Sequence, residues 1–138
     1  MQEQFFTSKQ AADMTGCTLR QLQYWREKEV IVPTISATGT GRSIYYSKHN
    51  LVELAGMAYL LSVGLSFDIA SSTLAKLQAE EPELFTSGKG KRWMLVWDGE
   101  RLELVEYNRK IAIASLDQGK PVIPVWLDVI YQKLSELI

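Results

Sequence analysis

Between residues 7 and 77 the apolar positions recur at helical spacing in four runs, each opened by Thr or Ser. Thr7-Ser8-Lys9-Gln10 has the form of a capping box, a hydroxyl at the N-cap and Gln three residues on. Gly16 stops the short helix that carries Ala11, Ala12 and Met14. Thr18-Leu19-Arg20-Gln21 repeats the box two residues later. Two boxes so close predict two short helices joined by a tight turn, a helix-turn-helix. Leu19 and Leu22 are expected to face the first helix, which turns Arg20, Gln21 and Gln23 outward. Pro33 ends an extended Val30-Ile31-Val32, and Ser36-Ala37-Thr38-Gly39-Thr40-Gly41-Arg42 has the small residues of a hairpin tip. Ser43-Ile44-Tyr45-Tyr46 returns from it with β-favouring residues, so the segment reads as a two-stranded wing. Ser47 opens a third helix with Leu51, Leu54, Ala58 and Leu61 as its apolar stripe. Gly64 ends it, and Ser66 opens a fourth with Ile69, Thr73, Leu74 and Leu77 along one face.

Beyond residue 77 the pattern changes. Gln78-Ala79-Glu80-Glu81-Pro82 ends the helical run, and Ser87-Gly88-Lys89-Gly90-Lys91-Arg92 reads as a basic, glycine-containing linker. Trp93-Met94-Leu95-Val96-Trp97 and residues 100–107 flank Asp98-Gly99, a two-residue hairpin signal. Trp93, Leu95, Trp97, Leu102 and Leu104 then share one face, and Met94, Val96, Arg101, Glu103 and Val105 the other. Residues 111–115 and 122–125 read as two further strands around Asp117-Gln118-Gly119-Lys120. After Pro124 a last helix carries Leu127, Ile130, Leu134 and Leu137. The predicted fold class is α+β. A winged helix-turn-helix of four helices and a two-stranded wing covers 1–79, a linker 80–92, and a small antiparallel β-meander with a C-terminal helix 93–138. So small a unit buries a core of its own only marginally, which predicts a partner surface for it.

Composition narrows the class without deciding it. With 138 residues, 46% of them hydrophobic and 22% charged, the chain is one globular domain or a small domain with an appendage. No apolar run is long enough for a bilayer, and Met1-Gln2-Glu3-Gln4 lacks the basic-then-apolar order of a secretory leader. A cytoplasmic location with no membrane partner is expected. The single cysteine cannot close an internal disulfide, which fits a reducing compartment. Net charge is −1, with residues 1–79 holding seven Lys/Arg against six Asp/Glu and residues 80–138 eight against ten. Any affinity for nucleic acid must therefore come from local placement of basic groups.

Arg reads guanine and Gln reads adenine in the major groove, and either can hold a phosphate instead. The outward set of the second helix thus suits DNA, and a wing can lay Arg42 and a tyrosine along the backbone. One Cys (Cys17) and one His (His49) cannot close a zinc or thiolate site, so no metal or other cofactor is expected. No nucleophile–base arrangement and no phosphate-cradling glycine loop is present, so an enzyme is not expected.

Taken together these segments resemble the MerR family of winged-helix transcription regulators. Gly16-Cys17-Thr18-Leu19-Arg20-Gln21-Leu22-Gln23-Tyr24-Trp25 is similar to the family's turn and recognition helix. Gly41-Arg42-Ser43-Ile44-Tyr45-Tyr46-Ser47 is similar to its wing return, and Gly64-Leu65-Ser66-Phe67-Asp68-Ile69 to the turn between its third and fourth helices. The resemblance implies DNA contacts from Arg20 and Tyr24 on the helix and from a wing arginine and tyrosine on the phosphates. The expected DNA-binding set is Thr18, Arg20, Gln21, Gln23, Tyr24 and Arg26 on the recognition helix, with Arg42, Tyr45 and Tyr46 on the wing. Four positions depart from the family: Gln23 for an arginine, Trp25 for a tyrosine, Glu29 for a helix-ending glycine, and Ile44 for the wing arginine. Residues 78–92 also replace the long dimerisation helix that usually follows.

The resulting expectation is a sequence-specific regulator of transcription that binds double-stranded DNA as a homodimer. Residues 93–138 are then the place for dimerisation, an effector or a protein partner. The rival readings are a DNA-bending accessory factor of a mobile element, excisionase-like or for packaging, and a protein-interaction module that no longer binds DNA.

Overall fold

The computed structural model describes residues 3–36 and 44–138. The chain opens with β1 (Phe5–Thr7), α1 (Ser8–Thr15) and α2 (Leu19–Glu27), followed by β2 (Ile35–Ser36) and β3 (Ile44–Ser47). The helices α3 (Lys48–Ser62), α4 (Phe67–Glu80) and α5 (Glu83–Thr86) come next. The C-terminal part holds β4 (Trp93–Trp97), β5 (Leu102–Glu106), α6 (Arg109–Asp117), β6 (Val122–Val125) and α7 (Leu127–Leu137). None of the helices among the described residues is long and apolar enough to cross a membrane.

Both expected capping boxes form. The Thr7 and Thr18 hydroxyls accept from the backbone N–H of Gln10 and Gln21 at 3.2 and 3.0 Å, and each glutamine oxygen accepts the N–H of its own cap at 2.9 Å. The wing is wider than expected. β1 adds to its edge, giving a three-stranded sheet of order β1-β3-β2 with Phe6 opposite Tyr46 and Ile35 opposite Tyr45.

The α3 helix is the axis of the molecule. Leu51, Val52, Leu54, Met57 and Leu60 are all buried, so the burial wraps around the helix instead of forming the single stripe expected from Leu51, Leu54, Ala58 and Leu61. Helices α1, α4, α5 and α7 all pack against it, and a helix enclosed on several sides needs apolar residues on several sides. One contiguous buried cluster runs from Ala11, Leu22 and Trp25 through α3 to Leu84, Phe85, Leu95, Leu104, Leu127 and Leu134.

The C-terminal sheet has the order β5-β4-β6, all antiparallel, with Pro124 on an edge strand where its missing N–H costs no ladder bond. Trp97 pairs with Leu102, so four residues make the hairpin loop where two were expected. The Asp98 carboxylate accepts from the backbone N–H groups of Arg101 and Glu100 within that loop, which holds its pKa below the ordinary value. The pairing shifts by two positions, an even number, and the face assignment of every strand residue survives. Residues 111–115, expected as a strand, are instead the middle of α6. Asn108 caps that helix, its Oδ1 accepting the N–H of Ile111 at 3.1 Å, and the local alternation Ile-Ala-Ile-Ala gives way to the cap. The layers are thus the helices around α3, the sheet, and α6 on the sheet's outer face over Met94, Val96, Val105 and Val122.

Residues 80–92, expected as a linker, lie pressed against the helices. Leu84 and Phe85 of α5 are buried. Gly88 has φ +73°, and a Cβ there would stand 2.5 Å from the Tyr131 ring; at Gly90 it would stand 2.8 Å from Leu84. Glycine serves close approach here, not slack. At the other junction Glu29 takes the left-handed conformation, φ 57°, in a Schellman turn that ends α2. The N–H of Val30 donates to Trp25 C=O at 2.9 Å and that of Glu29 to Arg26 C=O at 3.0 Å. Gly88→Ala is expected to lower stability by about 2 kcal/mol, through ring overlap and positive φ, in urea denaturation. Glu29→Gly should raise it by about 0.5–1 kcal/mol by relieving the left-handed residue.

Candidate nucleic-acid interface

Helix α2 is set by its inward face. Leu22 and Trp25, three residues apart, are buried against the rest of the molecule, and at 100° per residue this turns Arg20, Gln23, Tyr24 and Glu27 outward together. Arg20 is exposed and, among the described residues, makes no hydrogen bond or ion pair. Thr18 and Gln21 are engaged in the capping box, which leaves the Thr18 O–H and the Gln21 amide N–H groups to donate to another molecule. Gln23 donates to Glu27 Oε1 at 3.1 Å. Tyr24 is half exposed; its ring lies 5.3 Å from that of Phe67 at the start of α4, with the Lys28 ammonium 5.7 Å from its centroid.

Arg26 flanks the buried side. It stands beside the Tyr46 phenol, whose pKa burial pushes up and the Arg26 charge holds back. Tyr46 itself is fully buried, whereas Tyr45 is 37% exposed. Successive strand residues point to opposite faces, so only one of the two tyrosines can lie on the outer surface, and Tyr45 is that one. The expected contribution of Tyr46 to a surface is therefore corrected: its ring fills the space between β3 and the helix-turn-helix. Arg42 lies outside the described residues.

Two exposed residues of this face were not anticipated. Leu19, expected to face α1, is 54% exposed. It is the first helical residue, on the flank of the face that Leu22 and Trp25 define, and the angular arithmetic alone would have found it. Glu27 sits one turn after Gln23, in the middle of the outward face, and offsets much of the local positive charge.

Behind the interface one buried amide orders the junction of helix and wing. Asn50 Oδ1 accepts the backbone N–H groups of Thr34 and Ser47, both at 3.0 Å, while its Nδ2 donates to Val32 C=O at 3.1 Å and Glu53 Oε1 at 2.7 Å. Glu53 accepts a further hydrogen bond from Gln78 Nε2 of α4. Burial without a cation pushes the Glu53 carboxyl up to about 7, against the two amide hydrogen bonds that lower it. Ser47 Oγ lies 2.7 Å from His49 Nδ1, and burial lowers the pKa of that imidazole. The Cys17 thiol is buried, donates to Leu54 C=O and has its pKa raised by burial, as suits a packing residue.

The basic stretch at 89–92 is mostly engaged internally. Lys91 pairs with Glu106 at 3.5 Å, and Arg92 pairs with Asp128 at 3.0 Å while stacking 4.1 Å from the Trp126 ring. Among the tryptophans of the C-terminal part, Trp93 packs on the main core, and Trp126 borders a cavity of about 180 Å³ with Tyr59, Ile130 and Lys133.

A sequence profile described as MerR HTH family regulatory protein matches residues 6–77, more than half of the chain. The chain belongs to the MerR HTH family. Relatives described as uncharacterized HTH-type transcriptional regulators, from Mycobacterium bovis and Mycobacterium tuberculosis, are 39% identical over 57 residues. That alignment covers 41% of this chain and 25% of each relative, so the chain spans about a quarter of the length of the relatives it matches. The MerR match takes in most of β1, both capping boxes, the wing, α3 and most of α4, and ends at residue 77. The sheet, α6 and α7 of this MerR HTH protein lie beyond it.

Glu53 makes stability depend on pH. Its folded pKa lies above the ordinary value, so its contribution is complete below pH 4.5, falls as pH rises toward 7, and is constant above. Glu53→Gln should leave stability near pH 4.5 unchanged and raise it by about 2 kcal/mol at pH 8, measured by chemical denaturation at both values.

Proposed function

We propose that this chain is a sequence-specific regulator of transcription that places α2 in the major groove of double-stranded DNA and lays the wing on the flanking backbone. The observation that carries the reading is the outward face of α2: a free Arg20 with Gln23 and Tyr24, on a helix fixed by a capping box and the buried Trp25, in a chain of the MerR HTH family. Arg20 suits a guanine edge or a phosphate, and the exposed Leu19 beside it suits a thymine methyl. Glu27 can accept from a cytosine amino group and repels a misplaced phosphate, so it favours discrimination over raw affinity. Tyr45 serves the backbone from the wing. With a net charge of −1 the affinity of one protomer is modest and falls steeply with salt.

The test is binding of the purified chain to duplexes selected from a random library near physiological salt. Arg20→Ala should weaken binding to the selected site about tenfold, whereas Lys9→Ala on α1 changes it little. Equal losses from the two substitutions would remove α2 from the groove. An enriched inverted repeat fits a two-fold regulator, and direct repeats would favour the DNA-bending accessory reading.

A further inference from the structure

Helix α6 is the one element of the C-terminal part whose solvent side is apolar. Ala112 is its only buried residue, seated over Met94 and Val96, while Ile111, Ile113 and Leu116 are 48%, 47% and 58% exposed. Arg109, Ile113 and Leu116 follow one another at i, i+4 and i+7 along one stripe, with Asp117 beside Leu116. The helix also carries its charges against its own dipole. Arg109 and Lys110 stand in the first turn, where the partial charge is positive, and Asp117 closes the last turn, where it is negative. All three side chains are exposed, and among the described residues none makes an ion pair that would compensate the placement.

An antiparallel copy of the same helix compensates Arg109 and Asp117 and covers the apolar stripe. Ile113 is the midpoint of α6, so a two-fold axis through it sets Arg109 against Asp117 of the second copy, Lys110 against Leu116, and Ile113 against itself. The positive start of each helix then lies beside the negative end of the other, and the apolar stripe is covered. We propose that α6 is a self-association surface, pairing antiparallel with α6 of a second copy of this chain. Such a surface is self-complementary, the requirement of an isologous two-fold contact. A helix of this length, about 12 Å from Arg109 to Asp117, covers less than the roughly 800 Å² per partner of a standard interface. The dimer is therefore weak and concentration-dependent, and the pairing rests on no property of the DNA-facing side.

Sedimentation equilibrium of the full chain without DNA tests the assignment. The wild type is expected to pass from monomer to dimer between micromolar and millimolar concentration, and Leu116→Glu to remain monomeric. Arg109→Asp sets two acidic groups face to face and Asp117→Arg two basic ones, so each alone should weaken the dimer about tenfold. An equimolar mixture of the two variants, or Arg109→Asp with Asp117→Arg in one chain, should restore wild-type association. Restoration in the mixture cannot come from the folding of either variant, because neither chain has changed. A wild type that stays monomeric over the whole range overturns the proposal. So does a dimer indifferent to the charge reversals, or a mixture as weak as its components.

Discussion

The relation between α2 and the wing depends on the side chain of Asn50. Its amide has two donors and an acceptor oxygen with two lone pairs, and here it bonds to three separate segments: the exit of α2, the end of β3, and the next turn of α3. No apolar residue of similar size can substitute, since the N–H groups of Thr34 and Ser47 and the carbonyl of Val32 would be left without these partners. Backbone groups held against the interior are costly to leave unpaired, and this residue pins the mostly exposed segment between α2 and the wing to the start of α3. Glu53 then extends the network to Gln78 on α4, which ties the fourth helix to the same point.

From that point the packing runs without interruption into the C-terminal half. Lys48, the first residue of α3, donates to Ser135 of α7 at 2.6 Å and stands 4.0 Å from the centroid of Tyr131. Tyr131 in turn fills the place a side chain at residue 88 would need. Arg92 anchors the far end of this strap through Asp128 and the face of Trp126. Two residues of α7, Tyr131 and Asp128, thus hold down the segment that joins α5 to the sheet. The sheet's inner face, with Leu95, Leu104 and Val125, belongs to the cluster that also contains Leu22 and Trp25.

What could be read from residues alone follows the range over which each signal acts. The capping boxes at Thr7 and Thr18, and the cap at Ser66, were legible because their partners lie three residues away. The hairpin faces were legible despite the longer loop, since parity alone decides them. The helix at 109–117 was missed because four alternating apolar residues outweighed the Asn108 signal just before them. In the candidate site the outward placement of Arg20 and Gln23 was legible from Leu22, while the inward turn of Trp25 and the outward turn of Leu19 were not. The choice between Tyr45 and Tyr46 was not legible either, because it is fixed by pairing with Phe6 and Ile35, residues distant in the chain. The glycine at 88 misled for a related reason: composition tells nothing of a ring packed against the backbone from more than forty positions away.

The enclosure of α3 has a bearing on descent. A chain whose N-terminal and C-terminal halves were joined by a free tether could acquire a new C-terminal half by recombination at the tether and leave the first half intact. Here Leu127 and Leu134 complete the wall around α3, so a transplanted segment would have to bring residues shaped to the same gaps.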